Sequence, residues 1–453
     1  MSARSAAPLL VAIAAFALAI ARAPADSDMY WHLASGKWMV EHRELLRTDV
    51  FSSTVAGQSY SVGEWLGEVV LYLAYAAGGW VGIVVLRGLL IAAAAFFLMR
   101  AALRSGAHLL ITLPIVVLAL LLSAIVWTDR PHLFTLALFP LTLDLLLAAR
   151  AGHTRWLFAV PPILLVWTDL HGGYALGLAL VGLFALDALL RRRDWLAFAA
   201  AAALGAIATL LDPGSLGLAS AIAHAAAPPR FIGEESPPDV LTPAGFVFAL
   251  FILATIAVAL RAGGELFDAL LILPMLWLGL SAQRDMPYFA IAVTPYLARR
   301  APLALPWLSA RAQRIRVPRA TLPGVAAGVV AMGLVSLTFV PSAPDERAYP
   351  AGAIAALRDG GGTLLNEYDW GGYLIWRAPE RPVFIDGRLF PFMPTVLDDW
   401  NTAVRLGPSW RDVLTRYGIT TVLLRPERPL VGALRDDGWR TSTGPGWVLL
   451  SRP

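Results

Sequence analysis

Long apolar runs divide the first three quarters of the chain. Pro8 to Ala21 is almost unbroken apolar sequence. Similar runs follow at about residues 80–99, 108–127, 131–149, 156–170, 173–190, 195–211, 244–260, 266–281, 287–300 and 321–340. A helix needs about 20 apolar residues to cross a bilayer, so the pattern predicts about eleven spans. A polar loop, about residues 23–63, follows the first run and carries an amphipathic piece from Tyr30 to Val40. Glu64-Trp65-Leu66 then opens an apolar helix to Ala77, too short to cross and expected to lie along the surface.

From about Asp345 the pattern becomes that of a soluble domain. Thr363-Leu364-Leu365 reads as a strand, Trp370 to Trp376 as a helix, and Pro382 to Ile385 as a strand. Trp410 to Tyr417 reads as a helix, Ile419 to Leu424 as a strand, Arg428 to Arg435 as a helix and Trp447 to Leu450 as a strand. Such alternation predicts a small, mainly parallel α/β layer. The expected fold class is therefore an α-helical multi-pass membrane protein with a small C-terminal extracytoplasmic α/β domain. The expected division is 1–341 for the membrane part and 345–453 for the outer domain. No long internal repeat marks a transporter.

Composition agrees with the pattern. Hydrophobic residues make up 58% of the chain and charged residues 15%, with a mean hydropathy of +0.64. Soluble chains are nearer half apolar and a quarter charged. The loops on one side hold Arg100, Arg104, Arg150, Arg155, Arg191 to Arg193, Arg261, Arg299, Arg300, Arg311, Arg314, Arg316 and Arg319. Those on the other side hold Asp26, Asp28, Glu64, Asp129, Asp169, Glu234, Glu235 and Asp285. The positive-inside rule then places the N-terminus in the cytoplasm and the C-terminal domain outside, on the periplasmic face of the cytoplasmic (inner) membrane. Arg4, the first apolar run and Ala21-Arg22-Ala23 also mimic a signal peptide, and its cleavage would leave this orientation unchanged. The net charge of +4 is scattered over loops, which argues against a nucleic-acid groove. There is no cysteine, which excludes disulfides, thiolate nucleophiles and Cys-bound zinc.

The candidate chemistry sits on the outer rim. Asp26 and Asp28 follow the first span two residues apart. Alone, such a pair is as often a solvated loop feature as a site. Placed where a span surfaces, it suits a base that takes a proton from a hydroxyl, or two ligands of a hard divalent cation such as Mg²⁺ or Mn²⁺. Asp28 immediately precedes Met29-Tyr30-Trp31-His32 and is expected at the start of a short interfacial helix, with Asp26 as a second ligand or a cap.

Three other span ends on that side mix carboxylate with cation or imidazole: Trp127-Thr128-Asp129-Arg130-Pro131-His132, Trp167-Thr168-Asp169-Leu170-His171 and Gln283-Arg284-Asp285. Each alone reads as a set of interface anchors. Together, Arg130, His132, Asp169, His171 and Arg284 form a candidate substrate-binding rim, because a phosphate needs such cations. Asp28, Arg130, His171 and Arg284 are expected to line one cavity. Arg87 lies inside a span, where a charge is costly and is either paired, with an acid such as Glu68, or functional. Glu64, and Glu235 in the outer loop 213–243, are candidates to cover the site. Trp370, Tyr373 and Arg388 are candidates to face an acceptor, with burial in the outer core as the plain alternative for the two aromatics.

The acid stretch Asp26 to Gly36, with Glu64-Trp65-Leu66, many spans and an outer C-terminal domain, resembles the GT-C class of membrane glycosyltransferases, including uncharacterised bacterial members. A further echo lies in Glu367-Tyr368-Asp369-Trp370-Gly371-Gly372-Tyr373, then Val383 to Arg388, then Tyr417 to Leu424. That order is similar to the oligosaccharyltransferase catalytic subunit, whose outer domain opens on a Trp-Trp-Asp-Tyr-Gly motif that this chain lacks. The resemblance implies a lipid-linked sugar donor carried on polyprenyl phosphate, contact with membrane lipid, and a glycan, lipid or protein acceptor. It implies transfer with Asp28 or Asp26 as base or cation ligand, and with inversion at the sugar. The rival readings are a lipid or sugar transporter and a non-catalytic membrane protein whose outer domain binds a partner or glycan.

Overall fold

The computed structural model describes residues 2–60, 63–104, 106–213, 233–315 and 321–453. The chain forms two compact units: Met1–Arg22 with Val84–Pro341, and Ala23–Ile83 with Ser342–Pro453. The segment 23–83, counted with the membrane part from the sequence, thus clusters with the C-terminal residues.

The first unit is helical, and every expected span falls on a helix. Among the described residues, Ala3–Ile20, Trp65–Arg104, Leu109–Val126, His132–Arg150 and Pro243–Ala262 are long and apolar enough to cross a membrane. Tyr174–Leu190, Trp195–Thr209, Leu266–Ser281 and Pro323–Phe339 are shorter apolar helices. Polar residues cap several helix N-termini. Ser2 accepts from the backbone of Ser5, Thr242 accepts from Gly245, and Glu265 and Asp268 form a reciprocal cap. Acids near several helix ends are neutralised by arginine: Asp144 by Arg100 and Arg104, Asp187 by Arg150 and Arg191, and Asp268 by Arg299. Large side chains such as Phe139, Trp167, Phe184 and Phe289 fill the core.

In the second unit, Met29–His42 forms the expected helix. The helix opening at Trp65 is interrupted at Gly78 and Gly79, where φ is −146° and 58°. Glycine is the residue that tolerates the second of these values. The C-terminal residues build a four-stranded sheet in the order β1 (Thr363–Asn366), β2 (Ile419–Leu424), β4 (Trp447–Ser451), β3 (Arg440–Gly444). Only β1 and β2 are parallel, while β2–β4 and β4–β3 are antiparallel. The expected mainly parallel layer is corrected on this point: the tight turn at Gly446, with φ of 75°, returns the chain as a hairpin. That hairpin adds β3, which the apolar pattern hides because its residues are mostly exposed.

Pro382 to Ile385 is not a strand. The Asn366 side chain takes the place of a neighbouring strand there, accepting from Phe384 N at 2.7 Å and donating to Ile385 O at 2.8 Å. Val383 makes one isolated parallel bridge to Ser52. The helix Thr395–Val404 was also not foreseen.

Candidate active site

The acid pair is built into the second unit. Asp28 occupies the residue before the helix Met29–His42, as expected, and its own side chain makes no cap hydrogen bond. Asp26 Oδ1 accepts from the backbone N–H of Asp28 at 2.9 Å, so Asp26 braces the turn that presents Asp28. Two glycines let the turn sit close to the C-terminal residues, and a third lets those residues pack on one another. A Cβ on Gly387 would lie 2.1 Å from Asp28 Oδ1 and 3.1 Å from Trp31 Nε1. One on Gly372 would lie 3.0 Å from Ser27 O, and one on Gly371 would lie 2.3 Å from Ile385 O. None of the three has a positive φ, so glycine is present for space rather than for backbone freedom. Tyr349 is held well above the usual phenol range, by burial first and then by the charges of Asp26 and Asp28. Tyr368 is raised by burial and then by Asp28. Two phenols therefore sit within the field of the acid pair.

Three sequence candidates in this unit are buried: Trp370 and Tyr373 follow the plain alternative of core aromatics, and Arg388 lies in the core rather than at an acceptor. Trp370 is buried, and its indole N–H donates to Ala348 O at 3.0 Å. Tyr373 is 0% exposed, stacks on Tyr349 at 4.7 Å and meets Tyr30 edge-on at 5.2 Å. Arg388 is buried between Asp386 and Asp49, each at 2.6 Å, with the rings of Phe51, Tyr60 and Phe392 around it. Burial opposes its charge, but the acids outweigh this and keep the guanidinium protonated above its ordinary value. Glu64 is half-buried in the turn before the helix that opens at Trp65. Glu68, considered as the partner of Arg87, instead meets His32 at 3.0 Å, with both side chains buried. That pair was missed, although i, i+4 spacing places His32 one helical turn after Asp28.

Among the described residues, no group of three or more His, Asp or Glu side chains is placed to hold a metal ion. Asp26 is already occupied in bracing the turn. A divalent cation held by Asp26 and Asp28 alone remains an expectation.

The first unit gathers the cations. Arg130 pairs with Glu234 through Nη2, and its Nε donates to Thr128 Oγ1 at 3.2 Å. Arg284 meets Glu235 at 2.8 Å and Glu234 at 3.8 Å. Burial raises the carboxyls of Glu235 and Asp285, the latter to about 6, and Arg284 opposes both shifts. His171 lies in the turn after Val160–Leu170. Its Nδ1 accepts from Gly173 N at 2.9 Å and lies 2.8 Å from Thr135 Oγ1, which itself accepts from Trp167 Nε1 at 2.8 Å. Trp167 thus leaves the Thr135 hydroxyl to donate onward, Nδ1 is the acceptor, and Nε2 carries the proton. Burial, then Arg284 and Arg130, pushes the His171 pKa down to about 3. This histidine is a neutral hydrogen-bond donor rather than a cation.

His132 Nε2 lies 2.8 Å from the Tyr288 hydroxyl, and its ring is 5.3 Å from that of His171. Asp169 ends the same helix as a half-buried acid. Arg87 is 1% exposed and bound to Asp129 at 2.7 and 2.8 Å, with the carbonyls of Ala19 and Arg22 on its other nitrogen. This is a structural clamp, which corrects its place among the substrate-binding candidates. Of the loop 213–243, residues 214–232 lie outside the described residues. The expected meeting of Asp28 with Arg130, His171 and Arg284 would join residues of the two units, and it remains an expectation.

No protein-family model matches the sequence, and no curated protein matches it. Solved structures do. ArnT from Cupriavidus metallidurans, bound to undecaprenyl phosphate, is 17% identical, covers 99% of this chain and 98% of its own, and superposes with a TM-score of 0.55. The chain has the fold of the GT-C membrane glycosyltransferases. The oligosaccharyltransferase of Archaeoglobus fulgidus in its apo form is 12% identical, with 92% of this chain and 69% of that chain covered and a TM-score of 0.56. The same organism's AglB, in complex with an inhibitory peptide and a dolichol-phosphate, gives 12%, 92%, 69% and 0.54.

Proposed function

We propose that this protein is a membrane glycosyltransferase. It transfers a sugar from a polyprenyl-phosphate-linked donor to a glycan, lipid or protein acceptor at the outer face of the cytoplasmic membrane. The observation that carries the reading is the fold shared along nearly the whole chain with a structure bound to undecaprenyl phosphate. The two polar clusters add to it. Asp28 is the base: it takes the proton of an acceptor hydroxyl as that oxygen attacks the anomeric carbon. The bond from that carbon to the phosphate oxygen breaks, and the electron pair leaves with the polyprenyl phosphate. A single displacement inverts the anomeric centre. Arg130 and Arg284 carry the phosphate charge that grows as the bond breaks, and His171 and His132 donate or accept hydrogen bonds there.

Two tests apply. Purified protein in detergent should transfer sugar from a polyprenyl-phosphate donor; no transfer to any of the three acceptor classes would remove the enzyme reading. Orientation follows from the arginine asymmetry, with the N-terminus in the cytoplasm and the C-terminal residues outside. A reporter fused after Pro453 should be active only outside, and cytoplasmic activity would contradict this.

A further inference from the structure

We propose that Glu234 holds the place of the polyprenyl phosphate that the transfer releases. In this account its carboxylate bridges Arg130 and Arg284 in the resting protein and is displaced when a phosphate monoester binds the two guanidiniums. The inference rests on the transferase reading and adds to it a built-in competitor for the released phosphate monoester.

The geometry separates Glu234 from its neighbour. One Glu234 oxygen pairs with Arg130 Nη2, and the other lies 3.8 Å from Arg284 Nη1. Two guanidiniums set on the two oxygens of one carboxylate are also spaced for two oxygens of a phosphate, which offers a third. Glu235 holds Arg284 more closely, at 2.8 Å, and its side chain is only 3% exposed against 33% for Glu234. Glu235 is thus fixed and orients Arg284, whereas Glu234 has solvent to turn into. The backbone just beyond is anchored, since Ser236 O accepts from Gln283 N at 2.9 Å. Displacement therefore needs a side-chain rotation and no movement of the loop.

Charge makes the exchange necessary. Glu234, Glu235 and Asp285 surround Arg284, and Arg130 is the second cation of the group. His171 adds hydrogen bonding and no charge. A dianion entering beside all three acids would meet net negative charge; with Glu234 turned away, it meets two arginines and takes over the hydrogen bond that Arg130 gives Glu234.

The test is binding, measured on the purified full-length protein in detergent with three probes: undecaprenyl phosphate, undecaprenol and inorganic phosphate. Glu234→Gln keeps the shape and weakens the hold on both arginines. It should tighten undecaprenyl phosphate binding by about tenfold, the scale of losing one charge-assisted contact, and leave undecaprenol unchanged. Glu234→Ala should act in the same direction, which guards against a fault particular to the glutamine. If inorganic phosphate also tightens, the headgroup alone drives the exchange; if only the lipid phosphate tightens, its chain is needed to deliver it. Both outcomes support the proposal. Equal or weaker binding of undecaprenyl phosphate by both variants would overturn it, since Glu234 would then be part of the site rather than its occupant. Tighter binding by the variants with no sugar transfer from wild type would leave this inference standing and remove the transferase reading.

Discussion

Asp285 is the residue whose titration the fold has altered most usefully for measurement. Burial lifts its carboxyl from the ordinary 3.8 to about 6. A carboxyl raised in the folded state contributes stability that is full below about pH 4 and is lost as pH rises through 6. Asp285→Asn should therefore match wild type in thermal unfolding near pH 4 and exceed it by roughly 2 °C or more above pH 7. A constant difference across that range would mean that Asp285 is not held up by burial. Single residues were also where the sequence was least legible. Trp370, Tyr373 and Arg388 carry the side chains of a recognition surface, yet all three are buried, because aromatic area and a doubly paired arginine serve a core equally well. The neutral state of His171 depends on Trp167, Thr135 and Gly173, a chain assembled only by tertiary packing.

At the scale of elements, apolar periodicity located nearly all the helices and three of the four strands. What it could not show is how closely elements approach. Gly372 reads only as part of the helix Trp370 to Trp376, and the space that Gly372 and Gly387 leave beside the Asp28 turn needs the fold. Gly387→Ala should push Asp28 aside and cut sugar transfer roughly tenfold or more through kcat, the kind of loss that a misplacement of about 1 Å produces. In an Asp28→Ser background the same change should cost nothing further in rate or melting temperature. An equal added loss in both backgrounds would show that Gly387 supports the unit generally and does not seat Asp28. The Arg87–Asp129 clamp belongs to this scale too. It ties the helix after Gly79 to the carbonyl end of the first helix, where Gly88 allows Ile20 and Phe16 to pack closely. Arg87→Met should cost about 3–5 kcal/mol by leaving Asp129 buried and uncompensated, and Arg87→Met with Asp129→Leu should recover most of it. Unfolding in detergent measures both. A double variant as unstable as the single one would refute the clamp.

For the whole molecule, the fold class was legible because many long apolar runs with arginine-rich loops on one side leave few alternatives, and the likeness to GT-C structures extends over nearly all of the chain. The transporter reading weakens at this scale. Asp144, Asp187 and Asp268 are held by arginines near helix ends, whereas transport sites place ionisable groups near the midplane. The non-catalytic reading differs from the enzyme reading on one point, the need for a charged Asp28. Asparagine at that position keeps size and hydrogen bonding and removes the charge. The deciding measurement is the initial rate of sugar transfer from a polyprenyl-phosphate donor by purified wild type and Asp28→Asn, with melting temperatures recorded for both. The account predicts similar melting temperatures and a rate lower by roughly a hundredfold or more in the variant. A variant that transfers sugar as fast as an active wild type would contradict it.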